Sequence, residues 1–343
     1  MDGPQGRFLN VSLLPGSRAH RAYHAQASSR PPGTAPSCPA PGCPAPPRSA
    51  PPRSAPPRSA PPRSAPRLQF FGGKTIADLV YVNRYLGGAD AWDPADRASI
   101  DAALAKAMSD HALQSVLQQY YEPAISSRML PSAVLPGRVP ATVYKDQVEA
   151  LAARIYRSGA LGDADPGRTL VNIMLPRGVV LVDGFSPGFQ PAAGTEAEYE
   201  RRLRAVVTVG SGAADSRHGL GGYHGSTNVA GAAVYYAVGV YSEDGNGVPV
   251  FDQPWKNVAA TFYHELSEAR TDPDVEDAIR TGDSSRLGWY SAEGGEVGDI
   301  PVLEAGTRLA LVFTEIELAD GSGAVPVQLM WSNQDDGPAR RRG

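Results

Sequence analysis

Apolar residues recur along the chain with two different periods, and the changes of period divide it into elements. Thr75 to Tyr85 (TIADLVYVNRY) is rich in β-branched and aromatic residues and predicts a strand. Asp93-Pro94 then opens a helix. The Asp carboxylate can accept from the free amides of a first turn, and Pro has no amide to strand there. Ile100, Leu104 and Met108 follow at a spacing of four, and Leu113, Val116, Leu117 and Tyr120 continue the stripe beyond Ser109-Asp110. A further helix from Val143 to Tyr156 is expected to turn Val143, Val148, Leu151, Ala152 and Ile155 inward.

Three short β-branched runs come next, Leu170–Leu175, Val179–Val182 and Val206–Val209. They are too short for independent helices and predict buried strands. Val234–Tyr241 (VYYAVGVY), Leu309–Ile316 and Val327–Trp331 complete the set. Helices interspersed with strands predict an α/β fold, with α+β as the alternative: one domain with a mixed sheet packed by helices. The glycine-rich connection 210–228 predicts a surface loop able to line a site.

Composition changes this picture at the N-terminus. Residues 46–65 are four copies of Pro-Pro-Arg-Ser-Ala inside a Pro/Ala/Ser-rich stretch. Such a repeat favours extended polyproline II and offers too little apolar surface to offset the entropy of folding. Residues 1–67 are therefore expected to be a disordered tail, 68–338 the folded domain and 339–343 a basic C-terminal tail. The tail through residue 67 holds nine Arg and one Asp, a charge of +8. The rest holds 23 Lys+Arg against 35 Asp+Glu, a charge of −12. An acidic body argues against nucleic acid as a partner, because phosphate binding draws on clustered Lys and Arg. Cys38 and Cys43 both lie in the tail, so the body has neither a disulfide framework nor a thiolate metal site. No apolar run is long enough to predict a transmembrane helix, and the N-terminus lacks the apolar core of a signal peptide.

The candidate chemistry lies between Asp252-Gln253-Pro254, a helix start, and Asp272-Pro273, a helix stop. Trp255, Val258, Ala259, Phe262, Leu266 and Ala269 form one stripe, while Thr261, His264, Ser267 and Glu268 fall on another face. His264 and Glu268 are four apart, so their side chains stand on adjacent turns and can grip one cation. Glu265 follows the first ligand, where HExxH metalloproteases place their general base. Here the second His is replaced by Glu268, and HExxE is a short pattern that solvated or hydrogen-bonded helical pairs also produce. Downstream, Gly294-Gly295-Glu296-Val297-Gly298-Asp299 carries two carboxylates three residues apart. They can fold back as further ligands or stand hydrated in a turn.

HELSEARTDP, GWY, GEVGD and VQLMWSN, in that order, resemble the Exordium or phosphate-induced protein family and its bacterial relatives. Gly222-Tyr223-His224-Gly225 with the strand VYYAVGVY, and the opening FFGGKTIADLVYVNRYLG, are similar to the same family, so the resemblance spans about residues 68–333. The cysteines of plant members are missing here, so the resemblance implies no disulfides. It implies a zincin-like domain in which His264 and Glu268 are metal ligands, Glu265 is the base and Glu296 or Asp299 a further ligand. The implied activity is metal-dependent hydrolysis of peptide or cell-wall material, with Zn²⁺ acidifying a water and polarising a carbonyl. His224 or Tyr223, on the glycine-rich loop, would stabilise the developing oxyanion. A carboxylate-rich ligand set keeps Ca²⁺ and Mn²⁺ open. The alternative is a non-catalytic secreted or surface binding protein with a structural ion or none. The resemblance suggests export, and the missing signal peptide the cytoplasm.

Other residues carry weaker readings. His218 and His224, six apart, could form a second metal site but more often such histidines are single hydrogen-bonding groups. His111 is expected at the surface, and Trp92, Trp289 and Trp331 as core anchors. Gly210-Ser211-Gly212 lacks dinucleotide-binding spacing.

Overall fold

Strand β1 (Asp78–Leu86) is buried from Leu79 to Tyr85, as a strand covered on both faces must be. In the computed structural model, which describes residues 66–189, 214–243, 245–293 and 295–340, it is followed by helix α1 (Pro94–Ser109). The Asp93 carboxylate caps α1 by accepting the Ala95 amide at 2.8 Å. Asp110 ends α1 and caps α2 (His111–Gln118), accepting the Leu113 amide at 2.8 Å. Next come β2 (Ser126–Leu135), β3 (Thr142–Tyr144), α3 (Lys145–Arg157), β4 (Thr169–Met174) and β5 (Val180–Asp183). Strands β6 (Gly222–Val229) and β7 (Ala232–Gly239) form a hairpin. Its two turn residues, Ala230 and Gly231, have φ of 52° and 87°, the positive values that a tight turn between twisted strands requires. Helices α4 (Pro254–Thr271), α5 (Val275–Thr281) and α6 (Asp299–Ala305) precede β8 (Phe313–Glu317), β9 (Ala324–Gln328) and β10 (Met330–Ser332).

The central sheet has the order β2-β1-β4-β7-β6. Its first four strands are parallel to their neighbours, and the edge strand β6 runs antiparallel to β7. Because strand side chains alternate faces, β7 divides its residues between two cores. Tyr235 and Ala237 join α1 and α4 in one core, while Val234, Tyr236 and Val238 join Val148, Ala152 and Ile155 of α3 in the other. The protein is thus an α/β fold with a mixed sheet between helical layers.

Several elements differ from expectation. Val143 lies in β3, paired with Leu181 of β5, and the helix begins at Lys145 because Gln147 caps the Tyr144 amide at 3.1 Å. Strand β2 has no unbroken apolar run and its residues are half-buried or exposed, as suits an edge strand, so periodicity gave no sign of it. Leu309–Leu311 is a 3₁₀ turn. Val327–Trp331 splits at Leu329 because β9 pairs with β8 while β10 pairs with Gly337–Ala339. That last pairing also carries ordered chain past residue 338, so the expected tail boundary at 339 falls inside a strand. Residues 222–229 form a sheet strand, correcting the expected surface loop. The repeat tail and Val206–Val209 lie outside the described residues. Leu68 is buried, and Gln69–Phe70 pairs with Trp289–Tyr290. Trp92 and Trp331 are core residues, Trp289 packs half-buried against the same core beside Tyr120, and His111 is exposed. Among the described residues no helix is long and apolar enough to cross a membrane.

Candidate metal centre

Helix α4 starts at Pro254, whose missing amide costs nothing in a first turn. Every residue from Asn257 to Thr271 is buried, so its polar side chains have to find partners inside the protein. Asn257 accepts the Val250 and Phe251 amides, each at 2.8 Å. Arg270 donates to Gln114 Oε1 at 3.0 Å, to the Ser126 carbonyl at 2.7 Å and to the Ser127 hydroxyl. Ser267 and Thr271 bond back to carbonyls of their own helix. His264, Glu265 and Glu268 face elsewhere, towards β6 and the 295–299 segment.

The pleat of β6 decides what meets them. Tyr223 joins the α3 core, with the Lys145 ammonium 5.3 Å from its ring centre. Its neighbour His224 projects from the opposite face, towards α4. There His224 Nδ1 lies 3.5 Å from Glu265 Oε2 and 3.7 Å from Glu268 Oε2, and Nε2 lies 3.5 Å from Glu296 Oε1. On α4 itself His264 Nε2 is 3.1 Å from Glu268 Oε2 and 3.9 Å from Asp299 Oδ1. All six of these side chains are at most 2% exposed.

Two glycines allow the close approach. A Cβ on Gly298 would sit 2.4 Å from His264 Nδ1 and 2.9 Å from Glu268 Oε1. In its absence the Gly298 amide reaches the same Glu268 oxygen at 3.1 Å. A Cβ on Gly222 would meet the Val238 carbonyl at 2.5 Å and Glu265 Oε1 at 3.2 Å, so glycine lets β6 lie close to both β7 and α4.

Outer partners fix both imidazoles. Gln328 Nε2 donates to the Gly298 carbonyl at 2.6 Å, which orients its amide so that Oε1 accepts from His264 Nδ1 at 2.8 Å. His264 Nε2 therefore faces Glu268, donating to it when the imidazole is protonated and offering a lone pair there when it is neutral. The Asp272 carbonyl can only accept, so His224 carries a proton on Nε2, 3.2 Å away, and its Nδ1 faces Glu265 and Glu268. A histidine held through one nitrogen, with the other aimed at carboxylates, can serve as a metal ligand.

The carboxylates are poorly partnered. Glu265 Oε1, Asp272 Oδ2, Asp299 Oδ1 and both oxygens of Glu296 are buried without a hydrogen-bond partner, an unfavourable condition for ionised groups. Burial, reinforced by the Glu268 carboxylate, pushes Glu296 and Asp299 well above the usual range. Burial raises Glu265 too, and raises Asp272 to about 8 against the opposing Gly288 amide. Burial works against a charged His264, but Glu268 and Glu265 outweigh it and hold its pKa at about 10. A cluster that draws in protons this strongly could also accept a metal cation.

Among the described residues, two groups have ligand atoms mutually within 4.8 Å, His224–Glu265–Glu268 and His264–Glu268–Asp299. These buried groups could bind a metal ion: imidazole nitrogens with carboxylate oxygens suit a divalent cation, and such an ion would satisfy the stranded oxygens. The structure thus brings His264, Glu265, Glu268, Glu296, Asp299 and His224 together, and leaves Tyr223 on the other face of the sheet. The expected surface loop for His224 is corrected to a buried strand position. Sequence reasoning missed Asp272, read as a helix stop, and Gln328, whose one signal was an amide inside an apolar run. His218 is exposed and held by Asp215 at 2.8 Å, so it forms no pair with buried His224. No protein-family model, curated protein or solved structure matches this chain.

Proposed function

We propose that this chain is a metal-dependent hydrolase centred on α4, with Zn²⁺ as the ion. The observation that carries the reading is His264 Nε2 facing Glu268 and Asp299 while Gln328 holds Nδ1. Imidazole donors favour zinc over calcium, which prefers oxygen alone. The order of motifs that resembles the Exordium family supports the same zincin-like reading.

His264, Glu268 and Asp299 would hold the ion, which when bound supplies Lewis-acid polarisation of the scissile carbonyl and a more acidic water. Proton transfer falls to a buried carboxylate with a free oxygen, which Glu265 and Glu296 both provide. Tyr223 takes no part. The substrate class is peptide or cell-wall material. A second reading, a structural ion in a non-catalytic binding protein, is favoured by one observation: all of these side chains are buried.

The test is zinc content and hydrolysis of a mixed peptide and cell-wall polymer panel by the zinc-loaded chain and its Glu268→Gln variant. Bound zinc with turnover that Glu268→Gln abolishes supports the hydrolase. Bound zinc, no turnover and unfolding on chelation support the structural ion. No bound zinc overturns both.

A further inference from the structure

We propose that the centre holds two divalent cations bridged by Glu268, rather than one. This deepens the metal reading above and rests on it. The two ligand groups, His224–Glu265–Glu268 and His264–Glu268–Asp299, have only Glu268 in common. Donors to one small cation stand about 2.0–2.2 Å from it, so they crowd within about 4 Å of one another. Within each group the atoms meet that condition or come close to it, at 3.5 and 3.7 Å from His224 Nδ1 and at 3.1 and 3.9 Å from His264 Nε2. Each imidazole is fixed separately, His224 by the Asp272 carbonyl and His264 by Gln328, and their other nitrogens, His224 Nδ1 and His264 Nε2, both face Glu268 Oε2, while Oε1 accepts the Gly298 amide. A carboxylate between two nitrogen-anchored positions is placed as a bridge, and paired ions about 3.5–4 Å apart are an established catalytic arrangement.

Charge points the same way. Five carboxylates, Glu265, Glu268, Asp272, Glu296 and Asp299, are buried around two imidazoles. With neutral imidazoles and ionised carboxylates, one divalent ion leaves three negative charges in the interior, and two ions leave one. Buried charge is tolerated when it is compensated. Stranded oxygens exist on both sides, Glu265 Oε1 in the first group and Asp299 Oδ1 in the second. With Glu265 engaged as a ligand, Glu296 becomes the carboxylate available for proton transfer, both of its oxygens being unpartnered.

The experiment loads the metal-free full chain with Zn²⁺, removes excess by gel filtration, and measures zinc per chain by plasma emission spectrometry. It is repeated for Glu265→Gln and Asp299→Asn, with circular dichroism as the check on folding. Two zinc ions in the parent and one in each folded variant support the proposal. One zinc in the parent overturns the bridge and leaves the single-ion reading standing, whereas none overturns both. Because a variant could fail to fold, the parent is also loaded with Mn²⁺ for electron paramagnetic resonance. A spin-coupled pair supports the bridge, and the spectrum of isolated Mn²⁺ overturns it.

Discussion

The Gln328 side-chain oxygen sits 2.8 Å from His264 Nδ1, joining the end of β9 to the middle of α4. The same amide donates to the Gly298 carbonyl at 2.6 Å. One glutamine thereby sets both the tautomer of the imidazole and the position of the segment that brings in Asp299. Outer partners of this kind typically contribute 10–100-fold to metal affinity.

Replacing Gln328 with Leu should leave the His264 Nδ1–H and the Gly298 carbonyl without partners, at about 1–3 kcal/mol each. Zinc affinity, measured by competition with a chelating dye, is expected to fall about 10–100-fold. Unchanged affinity would show that the helix and strand packing orient the imidazole without help.

Gly298→Ala tests the close approach. The backbone there, φ −91° and ψ −29°, accepts alanine, so any effect comes from the new methyl, 2.4 Å from His264 Nδ1. Overpacking of this kind costs about 1–3 kcal/mol. The expected result is weakened zinc binding together with a lowered urea midpoint. Full zinc binding with normal stability would mean that the 295–299 segment yields freely.

Metal-free protein should lose stability as pH rises. Burial raises Asp272 to about 8, and the Glu268 and Glu265 carboxylates, against burial, raise His264 to about 10, compared with about 3.9 and 6.5 when unfolded. Glu265, Glu296 and Asp299 are raised as well. A raised folded pKa means that the native state holds more protons. Its contribution is complete below the unfolded pKa and lost as pH climbs through the folded one. For Asp272 that window is about pH 4 to 8, and for His264 about 6.5 to 10. Urea midpoints in chelator at pH 5.5 and 9 should therefore fall, and the gain from added zinc should be larger at pH 9. A chelated midpoint that rises with pH contradicts this account.

Arg270→Leu probes the packing behind the site. The substitution strands Gln114 Oε1 and the Ser126 carbonyl, at about 1–3 kcal/mol for each partner left unsatisfied. The urea midpoint should drop while the zinc-loaded variant keeps its metal. Loss of zinc at unchanged stability would place Arg270 in the centre itself.

The amino-acid pattern alone determined the elements with strong periodicity or clear end signals. Asp93-Pro94, the Ile100–Leu104–Met108 stripe, the VYYAVGVY strand and the Pro254 helix start are local features, and the side chains that cause them lie within a turn or two of one another. The pairing of His264 with Glu268 was legible for the same reason, since a helical repeat fixes the distance between residues four apart. What only the tertiary structure decided depends on contacts between distant segments. The glycines of 222–225 suggested a loop, yet they are where a strand must pass close to its neighbours, and the pleat of that strand turned His224 inward and Tyr223 away. Asp272 and Gln328 acquired their parts because helix α4 is buried on every side, so a helix end and a strand amide became the nearest hydrogen-bonding groups to the imidazoles. Burial is a property of the assembled layers, and it converts a common His–Glu helical pair into a buried cluster of carboxylates that could hold a cation.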